Sequence, residues 1–277
     1  MKSVGPRAQD TESDGRSVTW SRAPVYADPM RVGRLIPACL VGAALVAVLA
    51  WNDILPGGWT LRGWFTPHPV RESLEQAEYS ARRLAHFEDL LANAQPGSIA
   101  FLGSSTIERF PLEKLFPDKN CLNLGIGNES APSLIDRLEQ SLPEALGGAV
   151  LYVGSIDFRN SQRRPAAIAV LAGTVIDHLR ASAPDLPVAL IGVLPEQSMN
   201  APLLARLEQV NAALQALCNQ RGCAFISTAR HPVTDESGSL NPAMAADRLH
   251  LGPQGYAHLA RWLTEDGGAL GQLLQTD

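Results

Sequence analysis

One apolar segment of the chain ends in a glycine followed by two serines. Residues 99–108 read IAFLGSSTIE, so a run that suits a buried parallel strand leads directly into a helix-compatible stretch. In an open α/β sheet, such a strand-to-helix turn lies at the carboxyl edge, where side chains from several strands meet. A Gly-Ser-Ser turn is also common without chemistry, because glycine accepts positive φ and serine caps helices. The segment therefore predicts an α/β fold and makes Ser105 a candidate nucleophile.

After this turn the sequence alternates short apolar runs with longer helical patterns. We predict further strands over 121–124, 149–153, 188–194 and 223–226, and helices over 131–141, 165–181, 202–220 and 253–263. This alternation requires right-handed crossovers, and it predicts a parallel sheet with helices on both faces. Apolar residues at spacings of three and four predict one more helix over 70–94, which is amphipathic and precedes the first strand.

The N-terminal part of the chain has a different composition. Residues 1–34 are polar with charges of both signs and predict a disordered tail, whereas residues 35–51 contain no charge. We predict a single transmembrane anchor over 35–55 and a linker over 56–69, followed by one catalytic domain over 70–277.

The residues on either side of the anchor predict its orientation. Arg31 and Arg34 precede it and aromatic residues follow it, which places the tail in the cytoplasm and the domain in the periplasm or outside the cell. The localisation predicted is thus a bacterial inner membrane. The alternative is a secreted protein, in which a signal sequence starting at Met30 is cleaved near Ala50.

Charge and cysteine content exclude some classes of function. A net charge of −5 without a basic run argues against nucleic-acid binding. The four cysteines form no CxxC pair and have no histidine at zinc spacing, so we predict neither a metal site nor a cofactor. Cys218 and Cys223 flank a helix-to-strand turn, where they form either a disulfide in an oxidising compartment or two buried thiols.

An acidic residue and a histidine lie three positions apart near the C-terminus, in the segment DRLHLGPQGY. Asp247 can accept the Nδ1 proton of His250 and leave Nε2 free to act as a base toward a serine. The same spacing also fits a helix cap next to a surface histidine. With Ser105, these residues are candidates for a catalytic triad in the chain order Ser, Asp, His.

Five sequence blocks occur in an order that resembles the SGNH, or GDSL-type, hydrolases. They read FLGSSTIERF, NLGIGNES, LYVGSIDFRN, GVLP and DRLHLGPQGY, and they are most similar to catalytic subunits of platelet-activating-factor acetylhydrolase and to bacterial lysophospholipase-like esterases. The resemblance implies a three-layer α/β/α, flavodoxin-like parallel sheet. It also implies Ser105 as nucleophile, His250 as general base and Asp247 as the carboxylate that orients the base.

Three positions depart from the pattern of that family. Ser104 replaces the aspartate before the nucleophile, Asn128 replaces an oxyanion glycine, and Ile156 replaces an oxyanion asparagine. The backbone N–H groups of Ser105 and Asn128 are the oxyanion donors that the resemblance implies, whereas Ile156 has no side-chain donor. One hypothesis is that the carboxamide of Asn128 supplies the missing donor. The alternative is that Asn128 only adopts a left-handed backbone conformation, which asparagine tolerates well.

The sequence thus predicts a membrane-anchored serine esterase that hydrolyses short-chain or acetyl esters through an acyl-enzyme. An ester-bearing small molecule, a lipid or an acetylated glycan would be its substrate. One alternative is an acyltransferase with the same triad. Another is a non-catalytic binding module, which Ile156 favours and which the intact set of Ser105, Asp247 and His250 opposes.

Overall fold

The computed structural model describes residues 68–138, 142, 145–160 and 163–275, with side chains from residue 73 onward. The predicted tail and membrane span, and the linker up to residue 67, lie outside these ranges. Within them, no helix is both long enough and apolar enough to cross a membrane. The chain divides into two units, Met1–Arg71 and Glu72–Asp277, and the second contains the α/β domain.

Nine α-helices and five strands are formed by the described residues, in an alternating order. They are α1 (His68–Ala92), β1 (Ile99–Gly103), α2 (Ser105–Glu108), α3 (Leu112–Leu115), β2 (Cys121–Gly125), α4 (Ala131–Leu138), β3 (Gly148–Tyr152), α5 (Ser155–Arg159), α6 (Pro165–Ala181), β4 (Val188–Ile191), α7 (Ala201–Arg221), β5 (Ala224–Ile226), α8 (Pro253–Asp266) and α9 (Ala269–Leu274).

The five strands form one parallel sheet in the order β2-β1-β3-β4-β5. The predicted parallel α/β sheet is therefore confirmed. In the register, Gly103 at the end of β1 pairs with Gly125 of β2 and with Tyr152 of β3, so these three strands end at the same level. The strand order reverses between β1 and β3, and in such sheets ligands bind outside the carboxyl ends of the strands at that point.

Helices cover both faces of the sheet, and the sequence of β1 shows how. Ala100 and Leu102 belong to a core shared with Phe87 of α1 and with α4, α6 and α7. Ile99 and Phe101 belong to the opposite core, which includes residues of α8 and α9. Every residue of β1 is buried, as expected for a central parallel strand that is apolar throughout.

Most predicted boundaries differ from the observed ones by one or two residues, and the ends of β4 and α8 differ by three. β4 ends at Ile191 and not at Leu194, because the backbone of Val193 pairs with a side chain and not with a neighbouring strand. The Val193 N–H donates to Asn211 Oδ1 over 2.8 Å, and its carbonyl accepts from Asn211 Nδ2 over 3.0 Å. The final helix continues to Asp266, three residues beyond the predicted end.

One helix and one cysteine pair complete the comparison. α9 follows Gly268 and was not predicted, because its six residues are too few to show a helical period, although Leu270 and Leu274 are buried. Cys218 and Cys223 are free thiols in the structure, as in the second of the two predicted states, but only Cys218 is buried and Cys223 is half-buried.

Candidate active site

Ser105 is the first residue of α2 and lies just beyond the carboxyl end of β1. The turn depends on Gly103, whose φ of 149° is unfavourable for residues with a side chain. A Cβ atom at this position would also lie 2.4 Å from the carbonyl oxygen of Tyr152. The turn between β1 and α2 can therefore be this tight only with glycine, and it presents Ser105 at the edge of the sheet.

His250 reaches Ser105 from the loop before α8, 145 positions along the chain. Its Nε2 atom lies 3.0 Å from Ser105 Oγ, and its Nδ1 atom lies 2.9 and 2.8 Å from the two carboxylate oxygens of Asp247. The His250 side chain is only 14% exposed. The structure thus brings together the three side chains that the sequence selected as a candidate triad.

Asp247 is held in place by backbone as well as side-chain donors. Its Oδ1 atom accepts the N–H groups of Leu249 at 2.8 Å and of His250 at 2.9 Å. The Leu249 N–H, followed by the side chain and N–H of His250, lowers the pKa of Asp247 below its usual range. Asp247 is therefore ionised at neutral pH. Its charge favours the tautomer with the proton on Nδ1, which leaves Nε2 facing Ser105.

Two residues that the sequence analysis did not select support this arrangement. Arg109 Nη1 lies 3.3 Å from Asp247 Oδ2, which gives that carboxylate a positive neighbour. Tyr256 is buried on α8, and its hydroxyl donates to the carbonyl of Thr106 over 2.8 Å. Burial raises the pKa of Tyr256, so the hydroxyl remains a donor. Tyr256 is the last residue of the DRLHLGPQGY block, and this position in the block is the signal by which the sequence could have identified it.

The predicted oxyanion positions lie at the start of α2, for Ser105, and in the loop between β2 and α4, for Asn128. Asn128 has φ 61°, the left-handed conformation that glycine adopts freely, and it is exposed. Within the described ranges, no acceptor contacts the backbone N–H of Ser105 or of Asn128. Ile156 borders the space beside Ser105 and His250 but offers no donor from its side chain. Both backbone donors are thus free, and the position of the family asparagine is apolar.

A buried carboxylate connects α5 to the first residue of α4. Asp157 follows Ile156 and is 2% exposed. Its Oδ2 atom accepts the N–H of Ala131, the first residue of α4, over 2.9 Å, and its Oδ1 atom lies 3.3 Å from Arg163 Nη1. Because α4 begins three residues after Asn128, Asp157 links α5, which contains Ile156, to the end of the loop that contains Asn128.

The space next to Ser105 consists of a small recess and a larger groove. The recess has a volume of about 20 Å³ and is bordered by Ser105, Ile156 and His250 among others. The groove has a volume of about 700 Å³ and begins at His250. Apolar side chains form its walls, namely Phe158, Met199, Leu203 and Leu249, and charged ones border it, namely Arg159, Glu196, Arg206 and Arg248.

The charged residues of the groove are largely paired with protein groups. Glu196 contacts both Arg159, at 3.3 Å, and Arg248, at 2.9 Å. Arg206 donates to the carbonyls of Asn160 at 3.1 Å and Arg163 at 2.8 Å. The groove therefore combines apolar walls with charged side chains whose polar groups are already bound to other parts of the protein.

Several solved structures share this fold. A Streptococcus pneumonia protein named for platelet activating factor is 21% identical with a TM-score of 0.63, covering 72% of this chain and 99% of that one. A GDSL-like lipase from Bacteroides thetaiotaomicron is 18% identical with a TM-score of 0.59, covering 70% of this chain and all of the other. A mutant of an acetyl-xylooligosaccharide esterase from Geobacillus is 15% identical with a TM-score of 0.50, covering 66% and 100%.

Sequence comparison assigns the family. No curated protein matches the chain. Residues 97–258 match the GDSL-like Lipase/Acylhydrolase family, and this region begins just before β1 and ends within α8. The resemblance predicted from the five sequence blocks is thus confirmed. Because the match spans more than half of the 277 residues, the chain belongs to the GDSL-like lipase/acylhydrolase family and is a carboxylic ester hydrolase of the SGNH type.

Proposed function

We propose that Ser105, His250 and Asp247 form the catalytic triad of this esterase. The observation that carries the proposal is the 3.0 Å contact between Ser105 Oγ and His250 Nε2. As Oγ attacks the ester carbonyl, His250 takes its proton, and it then returns that proton to the departing alcohol. The acyl group remains on Ser105 until a water molecule, deprotonated by His250, releases it as a carboxylic acid.

The oxyanion of the tetrahedral intermediate would be bound by the backbone N–H groups of Ser105 and Asn128. The left-handed conformation of Asn128 supports this assignment, because it accounts for asparagine in place of glycine without a role for the carboxamide. The side chain of Asn128 is exposed, and it is not among the residues that border the recess at Ser105. Ile156 adds no donor, so we expect slow turnover.

The two spaces beside the triad support a division of the substrate. The recess of about 20 Å³ at Ser105 exceeds the roughly 10–15 Å³ that a cavity needs to hold one water molecule, so it suits a group as small as the methyl of an acetyl group. The alcohol part of the ester would occupy the groove of about 700 Å³, where apolar walls and a polar border suit a sugar ring or a lipid headgroup.

We also propose that the domain is anchored to a membrane through residues 35–55 and faces the periplasm or the exterior. The uncharged run and the two arginines before it support this proposal.

The triad predicts non-additive losses of activity. Alanine at Ser105, Asp247 or His250, and alanine at all three, should lower hydrolysis of p-nitrophenyl acetate by at least about a thousandfold to a similar floor. His258→Ala, which changes a histidine of α8 outside the site, should retain full turnover. A Ser105→Ala protein with the activity of the parent would contradict the triad.

The oxyanion assignment predicts that kcat rises with a donor at position 156 and changes little with glycine at position 128. Ile156→Asn should raise kcat about tenfold or more, since one oriented donor is commonly worth a hundredfold or more, while Ile156→Leu should not. Asn128→Gly should keep kcat within about threefold, because glycine adopts the same backbone conformation. A tenfold loss in Asn128→Gly would instead assign the donor to the carboxamide.

The size of the recess predicts acyl-chain selectivity. The ratio kcat/KM should be at least about tenfold higher for p-nitrophenyl acetate than for the octanoate, because extra methylenes have no space beside Ser105. A preference for the octanoate would show that the acyl chain, and not the alcohol, occupies the groove.

The proposed topology is tested by a reporter enzyme fused after Asp277 that is active only outside the cytoplasm. We expect reporter activity, with the fusion in the membrane fraction. Intact protein in the cytosol would contradict the anchor, whereas a released fragment beginning near Trp51 would indicate a cleaved signal sequence.

A further inference from the structure

Helix α1 contacts the loop that carries Asn128, although it precedes the region that matches the family. Three of its polar residues, Gln76, Tyr79 and Arg83, are spaced by three and four positions and therefore lie on one face of the helix. Gln76 and Arg83 donate hydrogen bonds to backbone carbonyls of the segment 125–127. Tyr79 donates to Glu108, a residue that itself binds this segment.

Arg83 holds the start of this loop. Its Nε and Nη2 atoms both donate to the carbonyl oxygen of Gly125, at 3.1 and 2.8 Å. The guanidinium lies 5.0 Å from the ring centre of Phe87, which is 1% exposed and packs in the core. Because the Phe87 ring restricts the Arg83 guanidinium, its two N–H donors keep the Gly125 carbonyl in one position.

Gly127, the residue before Asn128, is held at both of its backbone polar groups. Its carbonyl accepts from Gln76 Nε2 over 2.8 Å, and its N–H donates to Glu108 Oε2 over 2.5 Å. The other oxygen of Glu108 accepts the hydroxyl of Tyr79. Partial burial and the Glu108 carboxylate raise the pKa of Tyr79, so this hydroxyl remains a donor.

The loop also packs closely against α2. A Cβ atom at Gly125 would lie 2.3 Å from the backbone nitrogen of Glu108, and one at Gly127 would lie 3.0 Å from Glu108 Oε2. The intervening N–H of Ile126 donates to the carbonyl of Gly103 over 2.9 Å. The residues before Asn128 are thus bound on every side, while the N–H of Asn128 itself has no acceptor within the described ranges.

We propose that α1 positions the oxyanion site, with Gln76, Tyr79 and Arg83 as positioning residues that act directly or through Glu108 on the loop of Asn128. This inference rests on the proposed function, because the direction of the Asn128 N–H matters only if Ser105 forms a tetrahedral intermediate. A hydrogen-bond donor stabilises such an intermediate best when its orientation is fixed before the reaction. Without the contacts of α1, the loop of Asn128 would be less rigid, and its N–H would stabilise the intermediate less. In this enzyme, which has Ile156 in place of a donor, turnover depends strongly on the remaining N–H groups.

The test compares kinetics in full-length variants with turnover expressed per active site, counted by fluorophosphonate labelling. Arg83→Ala, and more so Gln76→Ala combined with Arg83→Ala, should lower kcat for p-nitrophenyl acetate about tenfold or more, with KM within about twofold. A trifluoromethyl ketone, which forms a tetrahedral adduct with the serine, should bind more weakly by the factor lost in kcat/KM. A purely structural role for α1 would lower the number of active sites and leave both quantities unchanged per site.

Two further variants make the comparison specific. Arg82→Ala changes the exposed neighbour of Arg83 on the same helix and should have the turnover of the parent. Arg83→Lys retains the charge but can replace the paired N–H donors by only one bond at a time, so it should recover part of the loss. Tyr79→Phe should also lower kcat, because the Glu108 carboxylate loses the hydroxyl that donates to it.

Unchanged kcat and ketone affinity per site in the double variant would overturn the inference. If Ser105→Ala nevertheless abolishes activity, the proposed triad stands and only the role of α1 is refuted. If Ser105→Ala leaves activity intact, the proposed function itself is refuted.

Discussion

The turn between β1 and α2 is the constraint on which the rest of the site depends. β1 lies in the middle of the sheet, and the carbonyl of Tyr152 from β3 approaches Gly103 so closely that no side chain fits there. This contact sets where α2 begins and hence where Ser105 lies relative to the ends of β2 and β3. Asn128 lies in the loop that follows β2, and Ile156 lies in α5, which follows β3, so both are close to the same edge of the sheet as Ser105.

Around that turn, hydrogen bonds and not burial hold the polar groups in place. The Asp247 side chain is 48% exposed, which is a poor environment for a strong charge interaction through space. Its orientation comes instead from two backbone N–H groups and from His250. Tyr256 connects α8, the helix after this loop, to the first turn of α2, so His250 and Ser105 are linked by the fold as well as by their own contact.

The segment around Asn128 is held by two carboxylates, those of Glu108 and Asp157. Glu108 binds the N–H of Gly127, and Asp157 binds the N–H of Ala131, so the segment containing Asn128 is held at both ends. Glu108 belongs to the same sequence block as Ser105, and Asp157 belongs to the same block as Ile156. This explains how a site that lacks the family asparagine can still keep its remaining donors oriented.

The sequence by itself determined the features that depend on neighbouring residues. Apolar runs ending in small polar residues located the strands and helices of the parallel sheet, and α6 spans the predicted 165–181. The glycine of the first turn and the DRLH spacing selected Ser105, Asp247 and His250, because the local geometry of a turn and of an Asp-His pair is encoded within a few positions.

Only the tertiary structure decided the features that depend on contacts between distant segments. β4 ends at Ile191 because the side chain of Asn211 binds both the N–H and the carbonyl of Val193. No local sequence pattern predicts this contact. The polar face of α1 reads in the sequence as an ordinary solvated helix surface, yet Gln76 and Arg83 bind carbonyls about fifty and forty residues away. A hydrogen bond to a backbone carbonyl requires no particular residue at the acceptor, so the sequence carries no trace of the partner, and folding alone brings the two together.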